Sequence, residues 1–270
     1  PAYYAILSVT VMQLFLTKED FALPVAHFFF LQNYLGDLSV FYVSWSLSVE
    51  EQFYLFIAPL FVFTLRLSKR YQILVLITLF LSPSIFRYLD FYTSLNETHV
   101  RLDCCAMGVL LAYIKHYRAE LWGLMQRNIT VFFTASIFLY LFFYVARYNP
   151  QWGINDPNKL FLSIIFGLWI IWSDKTTYST KSKWAKVVMH ISTRSYAMYL
   201  LHVDSLALLK KLGLAGNFFA FYVLALLLTL LLSECLYRAI ELPFMKFRSR
   251  FKFSKSRSKS ASSTRHTSTL

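Results

Sequence analysis

Apolar residues along this chain gather in long blocks and do not recur singly at core spacing. The stretches "LFIAPLFVFTL" and "FFAFYVLALLLTLLLS" are typical. Crossing the hydrocarbon of a bilayer takes a run of ~17–25 such residues. Blocks bounded by charged interruptions predict helices over 1–16, 45–65, 71–89, 101–117, 128–146, 158–173, 186–209 and 214–238. The run 23–35, "LPVAHFFFLQNYL", is too short to cross comfortably. It reads as a re-entrant or interfacial segment, or as a short tilted span. The pattern predicts an all-α fold, a polytopic transmembrane helix bundle with about eight spans present.

Composition agrees. The chain of 270 residues is 57% hydrophobic and only 15% charged. Soluble domains carry ~25% charged residues. Aromatic residues make up 19%, which suits the membrane–water interface. The net charge is +13, and eight of the 27 Lys and Arg lie in 245–270, which has no acid. Basicity is mostly a property of the tail, so it does not indicate a nucleic-acid partner. The expected organisation is a membrane domain over 1–245 and a disordered, basic, Ser-rich cytoplasmic tail over 246–270.

Charge placement also predicts orientation. If 45–65 runs from outside to inside, 19 of the 27 basic residues fall on inner segments. The start of that helix then faces outward and the C-terminus is cytoplasmic. Cys104, Cys105 and Cys235 suggest small packing residues, with neither a disulfide framework nor a metal site. The sequence opens on Pro1 with no charged region ahead of an apolar core, so a fragment of a longer chain is expected.

Ionisable residues inside a bilayer are costly and draw attention to function. The segment "SWSLSVEEQFYLF" puts Glu50 and Glu51 near the mouth of a predicted helix. At 100° per residue, Trp45, Ser48 and Gln52 share one face, while Glu50 and Tyr54 share a second. Two readings stay open. The acids favour the positive end of the helix, with Ser46 or Ser48 as N-cap, or they handle hydroxyls or protons at a cavity mouth. In "VRLDCCAMGVLLAY", Arg101 and Asp103 point to different sides, so each needs a partner on another helix. Gly108 would admit a neighbouring backbone. Ser195, Tyr199 and His202 form a polar stripe at offsets of four and seven. These features suit a carrier that moves an acyl donor or a sugar without chemistry as well as they suit an enzyme.

The segment "SWSLSVEEQFYLFIAPLF" resembles the Trp-Ser-Leu-x-Val-Glu-Glu-Gln-Phe-Tyr signature of the acyltransferase-3 family of integral-membrane O-acyltransferases. "HVRLDCCAMGVLLAY", "RSYAMYLLHV" and "AIELPFMKF" are similar to later family segments, in the right order. The resemblance covers nearly all of 1–245. It implies about ten spans in a full-length member. It also implies transfer of an acyl group, often acetyl, from a coenzyme A thioester to a hydroxyl of a cell-surface polysaccharide or lipid-linked sugar. Acyl-CoA would be the donor substrate, with no bound cofactor and no metal. The implied partners are the bilayer, acyl-CoA and a carbohydrate acceptor, and the implied location is the inner membrane of a bacterium. The family's catalytic histidine would lie upstream of Pro1, so residues 1–270 alone are expected to be inactive. Glu50 or Glu51 would orient the acceptor, Arg101 would bind a charged group or hold the helix pack, and Tyr199 and His202 would line the cavity.

Overall fold

A computed structural model describes residues 1–17, 22–149, 151, 159–176, 182–214 and 216–249. All regular structure among them is helical. Four helices are long and apolar enough to cross a membrane: Ser44–Thr64, Lys69–Tyr88, Ile129–Arg147 and Phe218–Ser249. The helices Ala2–Thr17, Asp103–Tyr117, Lys159–Lys175 and Ser195–Lys211 have 15 to 17 residues. At 1.5 Å per residue they reach only ~22–26 Å, short of the ~30 Å hydrocarbon core. By length and composition, four helices among the described residues qualify as membrane spans, where the apolar pattern predicts about eight.

The chain divides into two compact units, 1–23 with 180–270, and 24–179. In the second unit, α4 (Ser44–Thr64), α5 (Lys69–Tyr88), α6 (Asp103–Tyr117), α7 (Ala119–Arg127), α8 (Ile129–Arg147) and α9 (Lys159–Lys175) follow in order. The short α2 (Val25–Phe28) and α3 (Gln32–Leu35) precede them. Those two single turns replace any crossing helix over 23–35. Phe30 breaks them apart with a φ of 56°, a left-handed conformation that costs a bulky residue free energy. Burial pushes the imidazole of His27 in α2 below its ordinary range, against the opposing pull of Asp37.

Proline inside a helix leaves the carbonyl four residues earlier without its donor. In α5 that proline is Pro83, and the orphaned Leu79 carbonyl accepts from the Ser82 hydroxyl at 3.0 Å. α6 and α9 pack closely because Gly167 has no side chain. A Cβ there would meet Met107 at 3.2 Å and Leu111 at 3.5 Å. Gly108, expected to admit a neighbour, faces open space instead. At the far end of this pair, Lys115 pairs with Asp174, which also accepts from Trp122 and Gln126, each at 3.2 Å. These bonds fold the amphipathic α7, read from sequence as loop, back against α9. Leu111, Trp122, Ile129 and Ile171 close a core there.

The other unit holds α1 (Ala2–Thr17), α10 (Lys183–Ser192), α11 (Ser195–Lys211) and α12 (Phe218–Leu236). The single span expected over 186–209 is two helices, broken at Thr193 and Arg194. Local hydroxyls compete with the helical ladder there: Thr193 bonds the His190 carbonyl and Ser195 that of Ser192, at 2.9 and 2.8 Å. The break frees Arg194 to grip Glu234 of α12 through two nitrogens and to sit 4.4 Å from the Tyr237 ring. α12 widens into a π turn over Tyr237–Glu241 and continues as helix to Ser249. Pro243 explains the widening. It cannot donate, and its ring would crowd the Ala239 carbonyl in a regular helix. The rest of the expected tail, 250–270, lies outside the described residues.

One ion pair fastens α5 to α6. Both Arg87 terminal nitrogens bond Asp103, at 2.8 and 2.9 Å, and one also reaches the Val100 carbonyl at 2.6 Å. The Asp103 side chain is only 2% exposed. Removing one partner of such a pair strands a charge and costs about 3–5 kcal/mol, whereas a matched apolar pair is often neutral. Arg87→Ala should therefore lower thermal stability in detergent by about 3–5 kcal/mol, and Arg87→Met with Asp103→Leu should recover most of it. An unchanged melting point for Arg87→Ala would contradict this role.

Candidate functional site

Three segments of unit 24–179 converge on the face of α4 that carries Trp45, Ser48 and Gln52. They are α4 itself, the α2–α3 stretch, and residues 94–103, which include a 3-10 turn at Thr98–Val100. Gln52 is the junction. Its amide nitrogen donates to the Phe30 carbonyl at 2.6 Å and to the Asn33 side-chain oxygen at 2.9 Å. Its amide oxygen accepts from the Thr98 hydroxyl at 2.5 Å. Asn33 closes the triangle by donating to Thr98 Oγ1 at 2.8 Å and to the Asn96 carbonyl at 3.3 Å. The buried Gln32 donates to the Ser44 carbonyl at 3.0 Å, tying α3 to the start of α4.

This geometry corrects the capping idea for the acidic pair. α4 begins at Ser44, so its first turn contains no acid. Glu50 lies six residues inside, ~9 Å along the axis, beyond the reach of an N-terminal dipole. Neither Ser46 nor Ser48 is the N-cap, which is Val43; their hydroxyls turn back to the Val43 and Ser44 carbonyls. Glu50, Glu51 and Tyr54 are exposed. Among the described residues neither glutamate has an ion-pair or hydrogen-bond partner.

Glu51 and Gln52 line a groove of about 800 Å³ with Phe30, Tyr34, Tyr54 and His99. His99 escaped the sequence reading. Its Nε2 lies 2.7 Å from the Phe91 carbonyl, which can only accept, so that nitrogen carries the proton. Nδ1 then accepts from the Tyr34 hydroxyl at 2.9 Å. With both ring nitrogens engaged, His99 is a wall of the groove and not a free base.

The expected partner of Arg101 on another helix is the Trp45 ring of α4 and, among the described residues, not an acid. Arg101 donates to the Leu95 carbonyl and to Asn96 Oδ1, and lies 4.8 Å from the Trp45 ring centroid. Asp103 finds its partner in Arg87. The stripe of Ser195, Tyr199 and His202 belongs to the other unit, where it lines a groove of about 510 Å³ with Tyr222 and Thr229. His202 Nδ1 lies 2.6 Å from the Tyr199 carbonyl. That contact fixes the proton on Nδ1 and leaves Nε2 as the other ring nitrogen.

The family of proteins described as "Acyltransferase domain" matches residues 2–238. The chain belongs to this family, acyltransferase-3. A Staphylococcus aureus (strain COL) protein named "Putative O-acetyltransferase" is 30% identical over 223 residues, which is 75% of this chain and 36% of that protein. The O-acetyltransferase OatA of Staphylococcus aureus (strain NCTC 8325 / PS 47) is 25% identical over 214 residues, with the same two coverages. The chain thus spans 36% of the length of these curated relatives. No solved structure matches it. Within this acyltransferase domain, Gln52, Asn33 and Thr98 act as the clasp of the groove. Only Gln52 was legible as a candidate. Asn33 had one signal, a polar break inside an otherwise apolar run.

Losing the Gln52 amide would unpair two acceptors and one donor, at roughly 1–3 kcal/mol for each buried group. Gln52→Leu should therefore free the 24–36 stretch and open the Phe29–Leu31 bonds to chymotrypsin, at a digestion rate roughly tenfold that of the wild type. Equal digestion rates would show that the clasp is not needed.

Proposed function

We propose that the parent protein is a membrane O-acyltransferase. It moves an acyl group, by preference acetyl, from a coenzyme A thioester to a hydroxyl of a cell-surface polysaccharide or lipid-linked sugar. The family match over residues 2–238 carries this reading, and the named O-acetyltransferase relatives support the acetyl preference. In the reaction an acceptor hydroxyl oxygen attacks the thioester carbonyl while a base takes its proton. The tetrahedral oxyanion collapses, the carbon–sulfur bond breaks, and the thiol of coenzyme A leaves with a proton.

The groove beside α4 suits the acceptor half of this chemistry. Ionised carboxylates accept hydrogen bonds and donate none, so Glu51 in the groove wall, with exposed Glu50 next to it in sequence, matches the hydroxyls of a sugar. Tyr34, Tyr54 and His99 supply flat ring faces beside Glu51, against which the apolar face of a sugar ring packs. The base is the histidine that the family resemblance puts upstream of Pro1. Loop charges favour an outward-facing α4 start and a cytoplasmic C-terminus, and the family resemblance implies the inner membrane of a bacterium. The helices of 15–17 residues then complete the crossing set, with interfacial anchors or local bilayer thinning making up their length.

Misplacing a substrate by about 1 Å can cost about 10²-fold in rate. In full-length protein at wild-type membrane levels, Glu51→Ala should cut incorporation of labelled acetyl into surface carbohydrate by about 10²-fold. Glu50→Ala and Arg101→Ala should also reduce it. Wild-type acetylation by all three variants would remove this site from the reaction.

A further inference from the structure

We infer that Arg101 and Lys159 together form a seat for a phosphate group at the end of the α6–α9 pair. α6 and α9 run parallel, and two contacts set their register. Gly167 lies against Met107 and Leu111, and Asp174 pairs with Lys115. Counting eight residues back from Gly167 brings Lys159, the first residue of α9, level with residues 99–103. The electrostatic coupling of Lys159 to Arg101, Arg87 and Asp103 agrees with that placement.

Among the described residues, charge at this level does not balance. Asp103 is the nearby buried acid, and Arg87 already takes both of its oxygens. The side-chain oxygens of Glu97 are turned to the Thr93 and Ser94 amides and toward His99. Arg101 is held by neutral groups alone: the Leu95 carbonyl, Asn96 and the Trp45 ring. Lys159 has no ion-pair or hydrogen-bond partner among the described residues. Both cations are half-buried.

Two uncompensated cations held together out of water are costly, and an anion between them removes that cost. A phosphate group fits best. Its several oxygens can meet the planar fork of an arginine and the point charge of a lysine at once. The seat lies on the same 94–103 segment that sends Thr98 and His99 into the groove. A substrate whose hydroxyl enters the groove could therefore leave its phosphate at Arg101 and Lys159. This deepens the proposed acyltransferase reading and rests on it for the identity of the substrate. Three sources share the chemistry: a lipid-linked sugar diphosphate, coenzyme A, and a phospholipid headgroup.

The test is a titration of full-length protein in nanodiscs of neutral lipid. The probes are inorganic pyrophosphate, coenzyme A and a short polyprenyl diphosphate, with phosphatidylglycerol added to the disc as competitor. Pyrophosphate should bind, with Kd about tenfold higher in Lys159→Gln and in Arg101→Gln and restored in Lys159→Arg. Arg101→Gln also disturbs the Trp45 contact, so Lys159→Gln, which breaks no described bond, decides. The same loss with the polyprenyl probe identifies the acceptor as the source, and with coenzyme A the donor. Competition by phosphatidylglycerol identifies the headgroup. No pyrophosphate binding, or equal Kd in wild type and Lys159→Gln, would overturn the seat. Acetyl transfer measured on the same wild-type sample separates the two ideas. Binding without transfer would leave the seat standing and sink the enzyme reading.

Discussion

The candidate site depends on one side-chain amide. Gln52 has two donors and one oxygen, and all are used, on three partners from two separate stretches of chain. Polar groups removed from water must be paired, and an amide on an apolar helix has few ways to do so. Here the partners are a carbonyl in a strained turn at Phe30, the side chain of Asn33, and a hydroxyl at Thr98. That single requirement fixes the α2–α3 stretch and the 94–103 segment against α4. The groove that carries Glu51 is a consequence, because its walls come from those three stretches.

Ion pairs do the same work elsewhere in the described residues. Arg87 with Asp103 joins α5 to α6, Lys115 with Asp174 joins α6 to α9, and Arg194 with Glu234 joins α11 to α12. Each pair links helices built mostly of apolar residues, which present mostly apolar surfaces. Between such surfaces in lipid, no hydrophobic driving force favours one helix neighbour over another. Polar pairs and close contacts such as that at Gly167 then set the register. Among the described residues, this pairing rule leaves the half-buried Arg101 and Lys159 without an acid.

Much of the helical framework was legible in the sequence. The span expected over 45–65 is the helix Ser44–Thr64, and that over 128–146 is Ile129–Arg147. Long apolar runs bounded by charge leave the chain little choice. The failures came where short polar contacts outweigh periodicity. Thr193 and Ser195 break one apolar run into α10 and α11. A nine-residue α7 forms because Trp122 and Gln126 can reach Asp174, a contact 48 to 52 residues away in sequence. The site shows the same division. The face shared by Trp45, Ser48 and Gln52 follows from helical spacing. Its partners Asn33, Thr98 and His99 come from distant stretches, and no local pattern announces such pairings. The capping idea for Glu50 failed by about a turn and a half, the distance by which α4 begins earlier than a cap would need.

The most direct test is a double-mutant cycle on the clasp. Gln52→Ala, Asn33→Ala and the double variant would be compared with the wild type by thermal unfolding in the same detergent. Residues that share one hydrogen-bond network show coupling energies of about 0.5–3 kcal/mol, whereas independent sites add. The account predicts that the second substitution costs clearly less once the first is made, with coupling inside that range. Simple additivity of the two losses would show that Gln52 and Asn33 act separately, and that the groove is held by something other than their shared network.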